Sequence, residues 1–224
     1  MLQPSTLVFL NDLKQNNNRD WFLENKKRYE LFKSDYYHLI ELILNELKKT
    51  DPTLELVQVK DCAFRINRDI RFSKDKTPYK THISIGISAD GKKNCKASYY
   101  IHLEPNACFV GGGIYMPMPD QLLKIRKEIA FFYDDLNEII SNKNFKFAFN
   151  TISKDEGLFL KNPPKGYDKE HPAIEFLKLK SFTAGTSFDI KNSLQPGFVQ
   201  KMVDYLQIIK PFNDFLNRAI EEIE

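Results

Sequence analysis

The segment His82–Ile114, HISIGISADGKKNCKASYYIHLEPNACFVGGGI, decides the fold. Ile83, Ile85 and Ile87 alternate with His82, Ser84 and Gly86, the period-two pattern of a strand with one buried face. Asp90-Gly91-Lys92-Lys93-Asn94 has the composition of a hairpin turn. Lys96–Glu104 then alternates again, with Tyr99, Ile101 and Leu103 on one side and Ser98, Tyr100, His102 and Glu104 on the other. Pro105-Asn106 turns the chain into a third strand, Ala107–Ile114, which completes an antiparallel meander. With the turn centred near Lys92, paired positions sum to 184, setting His82 opposite His102 and Ser84 opposite Tyr100. An even sum keeps these polar side chains on one face, away from the isoleucines.

Helical patterns lie outside this core. Ser5 is positioned to cap a helix through Asn16, and Asn18 to cap a second run, Arg19–Lys49, read as one long helix or two in line. That run ends at Asp51-Pro52. Between it and the meander, Ala63–Asn67 reads as a short strand with Phe64 and Ile66 on one face. Pro117 opens a helix to about Asn142, and Phe145–Thr151 suits strand or helix. His171-Pro172 starts a short helix through Leu179, Lys180–Phe188 reads as a strand, and Pro196 begins a final helical region to Glu224, kinked near Pro211. The fold class expected is α+β, a central antiparallel sheet flanked by long N- and C-terminal helices, with residues 1–224 as one domain.

Composition narrows the functional classes. The 224 residues include 18 Phe and 10 Tyr, enough for a core without disulfides or structural metal. Three cysteines without CxxC spacing suggest neither a disulfide framework nor a zinc knuckle, and no export signal or membrane span is read, so a cytoplasmic protein is expected. Net charge is +3, from 33 basic and 30 acidic residues. Phe64–His82 alone holds six of the basic residues and two of the acidic ones, so one short segment carries the whole imbalance.

In that segment Arg65, Arg68 and Arg71 recur every third residue, and guanidinium groups bind phosphate or carboxylate through two-pronged hydrogen bonds. Phe72, Pro78 and Tyr79 interleave apolar surface, while Lys74, Lys76 and Lys80 extend the positive field. The run Arg65-Ile-Asn-Arg68-Asp69-Ile-Arg71-Phe72-Ser-Lys74-Asp75-Lys76-Thr-Pro78-Tyr79-Lys80 resembles the signature of a widespread bacterial family catalogued as domain of unknown function 2461. Asn16–Phe22, Tyr99–Pro105, Gly111–Gly113 and Pro163–Tyr167 followed by His171-Pro172 agree with it, so the resemblance covers nearly the whole chain. It implies one domain of this size and brings no activity or cofactor with it.

The candidate ligand-binding residues are Arg65, Arg68, Arg71, Lys76, Tyr79, Lys80, Tyr100, Glu104 and Lys165, with His82 and His102 as candidate acid–base groups. They suit a small phosphorylated or other anionic ligand. An exposed patch gripping nucleic acid is the alternative, and so is a protein-interaction domain in which Asp69 and Asp75 neutralise the arginines and the motif only holds the fold. His82, His102 and Glu104 also match a two-His-one-carboxylate metal set, with residues 102 and 104 roughly 6.6 Å apart along a strand. The surrounding cations weigh against a divalent ion, so no metal is expected. Gly111-Gly112-Gly113 lacks the phosphate-loop spacings and suits a bulge or close backbone approach. The final amphipathic helix suits intramolecular packing or a homodimer.

Overall fold

The computed structural model describes residues 1–91 and 96–221. Helix α1 (Pro4–Gln15) begins on its proline, and Gln3 precedes it without a side-chain cap, so Ser5 lies inside the helix instead of capping it. Proline serves there because its missing N–H has no partner in a first turn anyway. Asn18 does cap α2 (Arg19–Glu24), accepting from the Trp21 N–H at 3.0 Å. Asn25 separates α2 from α3 (Lys26–Lys48), whose Phe32, Tyr36, Leu39, Ile40, Ile43, Leu44 and Leu47 form one buried stripe, and the short α4 (Val59–Cys62) follows.

Strands β1 (Ile83–Ile87), β2 (Ser98–Leu103) and β3 (Phe109–Ile114) form the expected meander, and β4 (Phe182–Ser187) adds a fourth antiparallel strand beside β3. The register between β1 and β2 differs from expectation by two: pairs sum to 186, so Ser84 faces His102 and Gly86 faces Tyr100. A slip of two keeps every side chain on its own face. The expected turn residues 92–94 lie outside the described residues, as do Cys95 and the last three positions of the expected C-terminal helix.

One sheet face carries Ile83, Ile85, Ile87, Tyr99, Ile101, Leu103, Val110 and Ala184, all buried. Helix α9 (Phe198–Ile220) covers it through residues such as Met202, Leu206, Ile209 and Phe212, and continues past Pro211. Gly112 permits the approach: a Cβ there would lie 2.7 Å from the Ser98 carbonyl oxygen and 3.1 Å from the Asn213 side chain.

Ala63–Asn67 is not a strand of this sheet. It makes two isolated bridges, Ala63 to Ile85 and Asn67 to Tyr79. Arg68 N–H donates to Pro78 O at 2.9 Å and Lys80 N–H to Ile66 O at 2.8 Å, closing residues 69–77 into a loop that a straight strand would forbid. The helix expected from Pro117 to Asn142 is two, α5 (Pro119–Phe131) and α6 (Tyr133–Ser141), broken at Phe132 with φ −121° and ψ 44°. Asn142 then caps α7 (Lys143–Phe149), so Phe145 is helical. His171 Nδ1 accepts from the Ala173 N–H just before α8 (Ile174–Leu177). No helix of the described residues is long and apolar enough to cross a membrane.

Candidate functional site

The two chain segments flanking the 69–77 loop run between α3 and the edge of β1. There they enclose a cavity of about 220 Å³ whose wall includes Lys33, Tyr36, Arg65, Lys80, His82 and Ser84. Tyr36 fixes this wall: its hydroxyl donates to Ser84 O at 2.5 Å and accepts from the Phe64 N–H at 2.9 Å. Phe64 packs on Gly86, where a Cβ would stand 3.1 Å from its ring.

Among the described residues neither Arg65, Lys80 nor Lys33 has a carboxylate partner. The Lys80 ammonium lies 5.3 Å from the Phe64 ring centroid and that of Lys33 5.4 Å from the Tyr37 centroid. Burial, and then the charge of Arg65, push the Lys80 pKa below its usual value. His82 is depressed too, first by burial and then by His102, with Lys80 and Arg68 adding and Glu104 opposing.

His82 joins this cavity to the polar face of the sheet. Its ring centroid is 4.6 Å from that of His102. His102 Nε2 is 3.2 Å from Glu104 Oε2, and its Nδ1 is 3.4 Å from Ser84 Oγ and 3.3 Å from Tyr100 Oη. The Tyr100 hydroxyl donates to Ser84 Oγ at 3.0 Å. The Glu104 carboxylate can only accept, so this network puts the His102 proton on Nε2 and leaves Nδ1 to accept.

The other candidates stand elsewhere. Arg68 lines the loop, with Nη1 on Asp75 Oδ2 at 2.5 Å, on Thr77 O at 3.0 Å and on the Thr77 hydroxyl. The Thr77 N–H and then Arg68 hold the Asp75 carboxyl below its usual range. Arg71 pairs with Asp69 at 2.7 Å and is 76% exposed. Lys76 donates to Ile70 O. Tyr79 is buried, stacked on Phe22 at 4.1 Å. None of these four lines the cavity, and neither does Lys165, which sits on an exposed loop. Sequence reasoning did not select Lys33, Tyr36 or Ser84 as binding residues. Lys33 and Tyr36 lie on a helix whose aromatic spacing is explained by the core alone.

The family described as "Conserved hypothetical protein (DUF2461)" matches the chain over residues 5–215. No curated protein and no solved structure matches it.

Proposed function

Because the chain belongs to this family of conserved hypothetical proteins, whose description names no activity, we propose its function from the geometry: it binds a small phosphorylated or otherwise anionic ligand in the cavity between α3 and residues 63–67. The observation that carries this is the convergence of Arg65 and Lys80 on one cavity with no ion pair to a carboxylate for either among the described residues. Lys80 is half-buried and Arg65 exposed; the two like charges repel each other, and an anion between them relieves the repulsion. The cavity, about 220 Å³, falls below the roughly 300–1,000 Å³ of sites for drug-sized molecules, which favours a compact anion.

The test is a thermal-shift titration with phosphate, sulfate and small phosphorylated compounds. A ligand at about 100 times its Kd adds roughly 2.7 kcal/mol, or roughly 5–11 °C in a chain of this size. Arg65→Ala and Lys80→Ala are expected to lose the shift, and Arg68→Ala to keep it. A shift that survives both cavity variants, or no shift with any anion, sinks the proposal.

One feature favours a second reading. Phe72 is 95% exposed at the loop tip, with the Arg71 guanidinium 5.8 Å from its ring centroid, an arrangement on which a single-stranded base can stack. Oligonucleotide binding that falls steeply with salt and is lost in Phe72→Ala would favour it.

A further inference from the structure

On the sheet face behind the cavity wall three donor groups converge. His82 precedes β1, His102 lies on β2 and Glu104 just past its end; one ligand atom from each lies within 4.8 Å of the other two. Two donors held at roughly 2.0–2.2 Å from one ion stand roughly 2.9–3.5 Å apart for angles between square and tetrahedral. His102 Nε2 and Glu104 Oε2 meet that condition at 3.2 Å. The third donor, on His82, lies within 4.8 Å of both.

We infer that His82, His102 and Glu104 bind one divalent transition-metal ion of the zinc class. Two imidazole nitrogens and one carboxylate oxygen leave at least one position for water or a substrate. They also select borderline ions over magnesium and calcium, which demand oxygen ligands.

The surroundings suit this role. With Nε2 on the ion, the His102 proton moves to Nδ1, which faces Tyr100 Oη at 3.3 Å, and Tyr100 in turn donates to Ser84 Oγ at 3.0 Å. Such outer hydroxyls fix the ring of a ligating histidine. The His102 and Glu104 side chains are only 13% and 28% exposed, so little water competes. Lys80 and Arg68 raise the positive potential at His82, and the Glu104 charge opposes them. The inference stands on donor geometry, independently of the anion reading. Of the three donors only His82 also lines the cavity.

The test uses the full chain, stripped with a chelator and held in phosphate-free buffer. It is titrated with Zn²⁺ by calorimetry and with Co²⁺ by visible absorption. The expected result is one Zn²⁺ per chain, ligand-field bands from Co²⁺, and no response to Mg²⁺. The isosteric Glu104→Gln, checked for an unchanged melting curve, is expected to weaken Zn²⁺ binding about tenfold or more, and His102→Ala to abolish it. Tyr100→Phe, which removes a positioning group, costs roughly tenfold with unchanged stoichiometry, and Arg71→Ala, exposed and paired with Asp69, costs nothing. If wild type shows no saturable Zn²⁺ binding, or both ligand variants bind as wild type does, the inference is overturned and the cluster is a hydrogen-bond relay. Phosphate binding is read separately: retained in Glu104→Gln, it shows that the metal and anion readings stand or fall apart.

Discussion

Arg65, Arg68 and Arg71 are chemically the same and evenly spaced, yet each has a different fate. Arg68 is spent inside the loop, where it satisfies Thr77 O and meets Asp75. Arg71 pairs with Asp69 in open solvent, where such a pair is worth little. Arg65 alone of the three reaches the cavity. Arg68→Ala is therefore expected to behave as a stability variant. Losing a hydrogen-bonded charge that closes a loop costs on the order of 1–2 kcal/mol, or roughly 2–8 °C of Tm in a chain this size. Arg71→Ala is expected to melt with wild type. Paired thermal melts check this; equal melting of all three proteins would deny Arg68 its structural part. The arginines themselves were legible in the sequence, but not which carboxylate each would meet, because Asp69 and Asp75 were available to any of them.

At the scale of elements, the alternation of His82–Ala89 and Lys96–Glu104 was enough to assign the faces, although the register came out two residues away. Parity survived because strand side chains repeat every two positions. The glycine run of β3 suits a bulge or a close backbone approach by sequence, and it is the second. A Cβ at Gly111 would lie 2.1 Å from the Ala184 carbonyl oxygen, whereas at Gly185 the nearest atom would be 3.3 Å away. Gly111→Ala must force two paired strands apart, and overpacking of this kind costs roughly 1–3 kcal/mol. With backbone as the obstacle the top of that range applies, a Tm loss of roughly 6–12 °C. Gly185→Ala is expected to stay close to wild type. Similar melting of the two variants would refute the close-approach account of β3. The 63–67 segment misled because its alternation is real, while its pairing depends on a loop closed by Arg68 and Thr77, for which periodicity carries no signal.

Across the whole molecule, two tyrosines from different elements hold the sheet to its neighbours. Tyr36 of α3 reaches Ser84 O, and Tyr99 of β2 donates to Asp51 Oδ2 at 2.6 Å. Burial raises both pKa values far above the ordinary 10.0, and for Tyr99 the Asp51 hydrogen bond and charge raise it further. A raised folded-state pKa means stability that is complete below pH 10 and is lost as pH rises, because the unfolded chain ionises first. Each tyrosine contributes a slope of about 1.4 kcal/mol per pH unit in that range. Urea unfolding between pH 9 and 11 is expected to show a steep alkaline loss, and Tyr99→Phe to reduce that slope. An unchanged slope in that variant would show that Tyr99 ionises as freely folded as unfolded.

What the sequence by itself determined was local: the strand alternation, the face on which Ser84, Tyr100, His102 and Glu104 stand, and the Asn18 cap. Periodicity and capping act between residues a few positions apart, so one chain suffices to read them. Only the tertiary structure decided that Arg65, Lys80 and His82 share a cavity with Lys33 and Tyr36 of α3, and that Arg68 and Arg71 stay out of it. Those neighbours lie far apart along the chain, and they are brought together by burial of apolar stripes that contain none of the charged groups the site uses.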